Sequence, residues 1–389
     1  MRFEFASPVK IIFGRGTLHQ LTPPGQRVLL VTGKNTRRVP ALSEILQKAG
    51  AVANLQKAGA TVIPFSVPGE PSIKLVQDGV ARAKEQKCDS VISLGGGSVL
   101  DAGKAIAALL TNDGDIFDYL EVIGHGQPLL RPGAPFIAIP TTAGTGSEVT
   151  RNAVLFSPEH QVKVSMRSPL MLARVALVDP ELTLTLPPEV TASTGMDALT
   201  QVIEPYVSCR ANPMTDALCK EGIIRAARSL RRAYENGDDI EAREDMALAS
   251  LFGGLALSNA GLGAVHGFAG PIGGMFNAPH GAICAVLLPH VMKANLQALR
   301  VRVPQSPVIH RYNEIARWLT GKPGVTGEDG GEWVSSLVAA LKIPSLGTYG
   351  IETKNLDLIV DKTSVSSSMK GNPLPLDRGE LTDILKKAI

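Results

Sequence analysis

The segment Leu94-Gly95-Gly96-Gly97-Ser98-Val99-Leu100-Asp101-Ala102-Gly103-Lys104 follows an apolar run at 90–94 and opens a helical pattern. Three glycines between a strand and a helix let backbone come close to a ligand. The free N–H groups and dipole of the helix start then favour an anion such as a pyrophosphate. The segment lacks the G-x-G-x-x-G spacing of the common dinucleotide fingerprint. The same residues also read as an ordinary glycine-rich turn, and taken alone they leave both readings open.

Working outward, β-rich runs at 27–32, 61–67 and 90–94 alternate with helical periods at 42–50 and 73–86. Such alternation implies a parallel sheet wrapped by helices, with ligands gathering at the carboxyl ends of the strands. A second loop, Ile139-Pro140-Thr141-Thr142-Ala143-Gly144-Thr145-Gly146-Ser147-Glu148, follows the apolar run 136–139. Its hydroxyls and glycines suit phosphate or ribose, or else merely satisfy local backbone. Two such loops from one sheet favour a nucleotide site.

Past Asp179-Pro180 and Leu186-Pro187-Pro188, strand patterns nearly vanish. Ala/Leu-rich helical periods at 216–236, 240–259 and 313–319 take over, and the glycine-rich 321–332 reads as a loop. The expected fold class is α/β plus all-α, with a parallel-sheet dinucleotide-binding domain at 1–184 and a helical metal and substrate domain at 185–389. One hexapeptide at 46–51 recurs at 55–60, a local duplication rather than a solenoid.

Lys plus Arg number 39 against 36 Asp plus Glu, a net charge of +3 with no basic run. That balance argues against nucleic acid and anionic membrane as partners. Cys88, Cys209, Cys219 and Cys284 show no paired spacing, so they read as free thiols in a reducing compartment rather than a disulfide frame or a thiolate zinc site. The helical stretch 246–257 is far short of the roughly 20 residues that span a bilayer. A cytoplasmic protein acting on small molecules is expected.

The second half holds Gly195-Met196-Asp197-Ala198-Leu199-Thr200-Gln201, a helical pattern that puts Asp197 and Gln201 on one face. Far downstream stand His266 and His280. A carboxylate and two imidazoles brought together would form a divalent-metal site. Each histidine alone reads equally as a core residue satisfied by backbone. His290 reads as structural, and His19, His125, His160 and His310 as surface residues.

Gly95-Gly96-Gly97-Ser98 with Asp101 and Lys104, then Pro140 through Thr150, Gly195 through Thr200, Pro279-His280-Gly281 and Leu288-Pro289-His290 together resemble the iron-dependent (group III) alcohol dehydrogenase family. The resemblance covers nearly the whole chain in the family's order. It implies an architecture shared with dehydroquinate synthase, a metal in a cleft between the domains, and reversible hydride transfer between a nicotinamide and an alcohol/aldehyde pair. It also implies a homo-oligomer. Asp197, His266 and His280 match three metal-ligand positions and, through the metal, the catalytic ones. The fourth position, usually histidine, is Gln201, a weaker neutral donor. The Fe2+ or other divalent ion, Zn2+ for instance, is therefore expected to be weakly held or absent. Gly270 stands where the family often has a proton-handling histidine.

The cofactor contacts implied are Gly33, Asn35, Thr36, Glu70, Gly95, Gly96, Gly97, Ser98, Asp101, Thr141, Thr142, Thr145, Ser147, Lys163 and Leu182. Gly33 replaces an aspartate common in NAD-preferring members. With Lys34, Asn35, Thr36, Arg37 and Arg38 beside it, NADP is expected, with NAD possible. Three rival readings stay open: a metal-independent reductase of the maleylacetate reductase type, a lyase of the dehydroquinate synthase type, and a non-catalytic nucleotide-binding scaffold.

Overall fold

The computed structural model describes residues 2–33 and 50–389. The helical period at 42–50, the first copy of the duplicated hexapeptide, and Lys34, Asn35, Thr36, Arg37 and Arg38 lie wholly or largely outside the described residues. The chain forms two compact units.

The first unit comprises Ala6–Thr142 and Gly146–Pro187. Its strands are β1 (Lys10–Phe13), β2 (Arg27–Gly33), β3 (Thr61–Val67), β4 (Ser90–Gly95), β5 (Phe136–Pro140), β6 (Asn152–Ser157), β7 (Val162–Arg167) and β8 (Val175–Val178). Six of them make one parallel sheet in the order β1-β8-β5-β4-β2-β3. The helices connecting it include α1 (Ala51–Lys57), α2 (Ile73–Glu85) and α3 (Gly97–Thr111). All six residues of β4 are buried, as a central parallel strand covered on both faces requires. The chain leaves β2 toward β3 and leaves β4 toward β5, so the strand order reverses between β2 and β4. That switch point is where sheets of this kind open a crevice for ligands. Gly33 ends β2 there, and Gly95 ends β4.

The sheet and the three strands read from sequence appear at nearly their expected bounds. The antiparallel hairpin β6–β7 and the short strands β1 and β8 were not among the strands read from sequence. β1 has only four residues, too few to show a period.

The second unit is mainly Pro188–Ile389, with Ala143–Thr145 clustering alongside it. Its helices are α4 (Pro188–Val207), α5 (Pro213–Glu235), α6 (Ile240–Ala260), α7 (Ala264–Met275), α8 (His280–Arg302), α9 (Pro307–Thr320), α10 (Gly327–Ala340), α11 (Leu356–Ser364) and α12 (Arg378–Ala388). Every residue from Gly195 to Val207 is buried, so α4 is the central helix, packed on all sides. Helix α8 has the length and hydropathy of a membrane span, rather than 246–257, and 78% of that window is buried inside the protein.

The loop expected over 321–332 is corrected at its second half, where α10 begins at Gly327. A capping box between Thr326 and Asp329 starts the helix. Gly330 then lies against Ala316, where a Cβ would come within 3.1 Å of the alanine methyl. Capping and close helix packing outweigh the low helix propensity of glycine here.

Candidate functional site

Helix α4 delivers three polar side chains on one stripe: Asp197, Gln201 four residues on, and Glu204 three further. All three are at most 4% exposed. Helix α7 brings His266 and helix α8 brings His280. The approach of α8 depends on Gly281, because a Cβ there would come within 2.0 Å of the Ser193 carbonyl oxygen. No side chain fits, so glycine alone lets the start of α8 lie on α4.

Asp197 Oδ1 stands 3.3 Å from His266 Nε2 and 3.7 Å from His280 Nε2. The two imidazole centroids are 5.4 Å apart. The structure therefore brings Asp197, His266 and His280 together. Cys284, one helical turn after His280, joins them with Sγ 3.9 Å from His266 Nε2 and 3.8 Å from His280 Nε2. One ligand atom from each of the four lies within 4.8 Å of the others.

Glu204 orients this cluster. Its Oε2 accepts from His266 Nδ1 at 2.6 Å and its Oε1 from the Val265 N–H at 2.7 Å. Asn372 Oδ1 accepts the Ala264 N–H at 3.1 Å. Two side chains from elsewhere thus cap α7, whose own cap position, Gly263, offers none. A carboxylate can only accept, so Nδ1 carries a hydrogen and Nε2 is the ring atom turned to Asp197.

The field of the cluster favours positive charge. Burial pushes the Asp197 carboxyl up, yet His280, His266 and the Gln201 amide outweigh it and hold the group down at about 2. Burial alone would lower both histidines. The Cys284 sulfur and the Asp197 carboxylate raise them instead, with Glu204 adding to the rise at His266.

Asp197 Oδ1 and Gln201 Oε1 are buried and receive no hydrogen bond from the described residues. The 3.3 Å approach of His266 Nε2 lacks the alignment of one. Buried oxygens without donors are costly unless a cation joins them to the nearby ring nitrogens. Carboxylate, imidazole and sulfur donors of this kind fit a divalent transition metal. Among the described residues, none lies within 4 Å of a Cβ placed at Gly270.

In the first unit, Gly95 pairs with Pro140 across β4 and β5, so the two glycine loops leave the sheet side by side. Gly96 caps α3, and Gly97 and Ser98 form its first turn. Thr141 N–H donates to Gly95 O at 3.0 Å, and Thr142 lies against Gly96. Asp101 accepts from the Ser147 hydroxyl and from the Val154 N–H. Lys104 Nζ donates to Ser147 O, Ser147 Oγ, Thr150 Oγ1 and Asn152 O at 2.7–3.1 Å. Asp101, Lys104 and Ser147 thereby tie the second loop to α3.

Glu70 and Lys163 meet in an ion pair at 3.1 Å. Leu182 is buried in a cluster with Leu94, Ile139 and Leu177. Thr145 is half-buried and clusters with the helical unit. Gly33 ends β2, and among the described residues a Cβ there would meet only Val99, at 3.9 Å. Asn35 and Thr36 lie outside the described residues.

Sequence reasoning missed Glu204 and Cys284. Both were within reach of a helical-periodicity argument. Glu204 falls seven residues after Asp197 on the same face, and Cys284 four after His280.

The model of the iron-containing alcohol dehydrogenases matches residues 8–180, and that of the Fe-containing alcohol dehydrogenase family, C-terminal, matches 191–389. Alcohol dehydrogenase 4 of Schizosaccharomyces pombe is 37% identical, with 99% of this chain and 89% of that protein covered. The 1,3-propanediol dehydrogenase of Citrobacter freundii is 36% identical, with 94% and 92% covered. Among solved structures, a 1,3-propanediol oxidoreductase superposes with a TM-score of 0.89 at 34% identity over the full length of both chains. The sulfoacetaldehyde reductase from Bifidobacterium kashiwanohense, in complex with NAD+, gives 0.83 at 27% identity, with 100% and 99% covered.

Proposed function

The chain belongs to the iron-containing alcohol dehydrogenase family, NAD(P)-dependent oxidoreductases acting on CH–OH groups, and we propose how its own residues serve that activity. It interconverts a small alcohol and its aldehyde or ketone, with a divalent cation held by Asp197, His266 and His280 and with NADP preferred. The observation that carries this reading is the pair of Asp197 Oδ1 and His266 Nε2, 3.3 Å apart without a hydrogen bond, while Glu204 occupies the ring's other nitrogen.

When bound, the cation supplies Lewis acidity toward the substrate oxygen and the nicotinamide supplies or takes the hydride. The protein's share is position and field. Asp197 contributes a full negative charge in a buried setting, Glu204 holds the His266 ring, and His280 closes the far side of the group. Gln201 offers only a neutral amide at the fourth ligand position. The helix start at Gly96, Gly97 and Ser98 offers N–H groups to a pyrophosphate, as the resemblance implies.

Gly33 supports NADP, because a bare backbone at the end of β2 leaves no carboxylate to repel a 2′-phosphate. The substrate is a small molecule. A cytoplasmic setting and self-association into a homo-oligomer complete the reading.

Following nicotinamide absorbance with metal-loaded protein and a panel of aldehydes tests it. NADPH is expected to be used with kcat/KM at least about tenfold above NADH. Asp197→Asn should abolish both turnover and metal retention. Equal use of the two cofactors would remove the argument from Gly33. Absence of hydride transfer from any aldehyde would end the functional reading.

A further inference from the structure

We propose that Cys284 is the fourth metal ligand, its thiolate taking the place that the amide of Gln201 fills poorly. The proposal rests on the reading that Asp197, His266 and His280 hold a divalent cation, and it fixes which kind. Cys284 is buried on α8 one turn from His280, so both side chains leave the same face. Its sulfur stands 3.8 Å and 3.9 Å from the two Nε2 atoms.

A thiol donates and accepts only weakly, so hydrogen bonds to both rings at these lengths would contribute little. Convergence on a shared centre accounts for both distances. Bonds of about 2.0–2.3 Å at angles of about 110–120° set donor atoms roughly 3.3–4.0 Å apart, and the wider angles would leave a fifth position for the substrate oxygen. Four of the six spacings here are 3.3, 3.7, 3.8 and 3.9 Å, and all lie within 4.8 Å. The second, independent sign is Asp197 Oδ1, in a residue 2% exposed, which lacks any hydrogen bond and faces the same two rings.

Donor strength points the same way. A neutral amide oxygen is a poor partner for a transition metal, whereas a thiolate is charged and soft. One carboxylate, two imidazoles and one thiolate balance a dication and suit Zn2+ better than Fe2+. Binding releases the thiol proton to solvent as the sulfur–metal bond forms.

The test is a titration of the full-length, chelator-stripped protein with Co2+ alone. One ion per chain is expected, with a sulfur-to-cobalt charge-transfer band in the near ultraviolet. Cys284→Ser should remove the band and weaken binding at least about 100-fold, beyond what loss of a group merely supporting a ligand costs. Gln201→Ala should keep the band. A wild-type spectrum without the band overturns the proposal. So does Cys284→Ser with unchanged affinity while Asp197→Asn loses the metal; in both cases the cation reading survives. Failure of the wild type to bind any Co2+ removes the reading beneath as well. Circular dichroism checks folding, and should Cys284→Ser misfold, Cys284→Ala is read in its place.

Discussion

Glu148 shows how a single buried group sets a pH dependence. It is 2% exposed, and burial pushes its carboxyl up from the ordinary 4.5 to about 7, against the pull of its own backbone N–H and of Lys104. The folded value lies above the unfolded one. Its contribution to stability is therefore intact below pH 4.5 and is lost as pH climbs through about 7. The full loss is on the order of 3 kcal/mol. Glu148→Gln should abolish that decline, so the variant's stability relative to wild type should rise between pH 5 and pH 8 in urea unfolding. An unchanged difference across that window would show that Glu148 is not the titrating group. Nothing in the sequence marked it, because a glutamate after Gly-Ser reads as a loop residue until the fold encloses it.

Among the elements, α4 and α8 carry the site, and their contact was legible in part. The stripe of Asp197 and Gln201 follows from helical spacing, and so would Glu204 have done. What spacing does not reveal is that α8 starts within touching distance of Ser193, a contact made between residues almost ninety positions apart. Gly281 is the residue that permits it. Gly281→Ala should cost about 1–3 kcal/mol through overpacking and should displace His280 from Asp197. Metal content per chain and the thermal midpoint should fall together. A variant with full metal content and an unchanged midpoint would mean that α8 adjusts freely. The converse error, reading a loop into the start of α10, came from counting glycines without noticing the Thr326–Asp329 capping box.

For the whole molecule, alternation of strand and helix gave the sheet, and its disappearance gave the helical half, because both signals recur over many residues. The hairpin β6–β7 and the short edge strand β1 escaped, being too brief or too far from a crossover to show a pattern. The first glycine loop lies where the parallel sheet reverses strand order, and the second leaves the neighbouring strand β5. Several residues assigned to cofactor also contact one another: Asp101 with Ser147, and Glu70 with Lys163.

The ammonium of Lys104 has no exposed side-chain surface and spends its hydrogens on Ser147, Thr150 and Asn152. An acylating reagent that modifies amines at the surface has no route to it while the sheet unit is closed. Mass-spectrometric footprinting should find Lys104 silent when surface lysines such as Lys74 are fully labelled, and should find it reactive only after that unit opens. Early labelling would mean the loops part from α3 in the native state. A lysine so placed is an internal clock for opening, read at a residue the protein already carries.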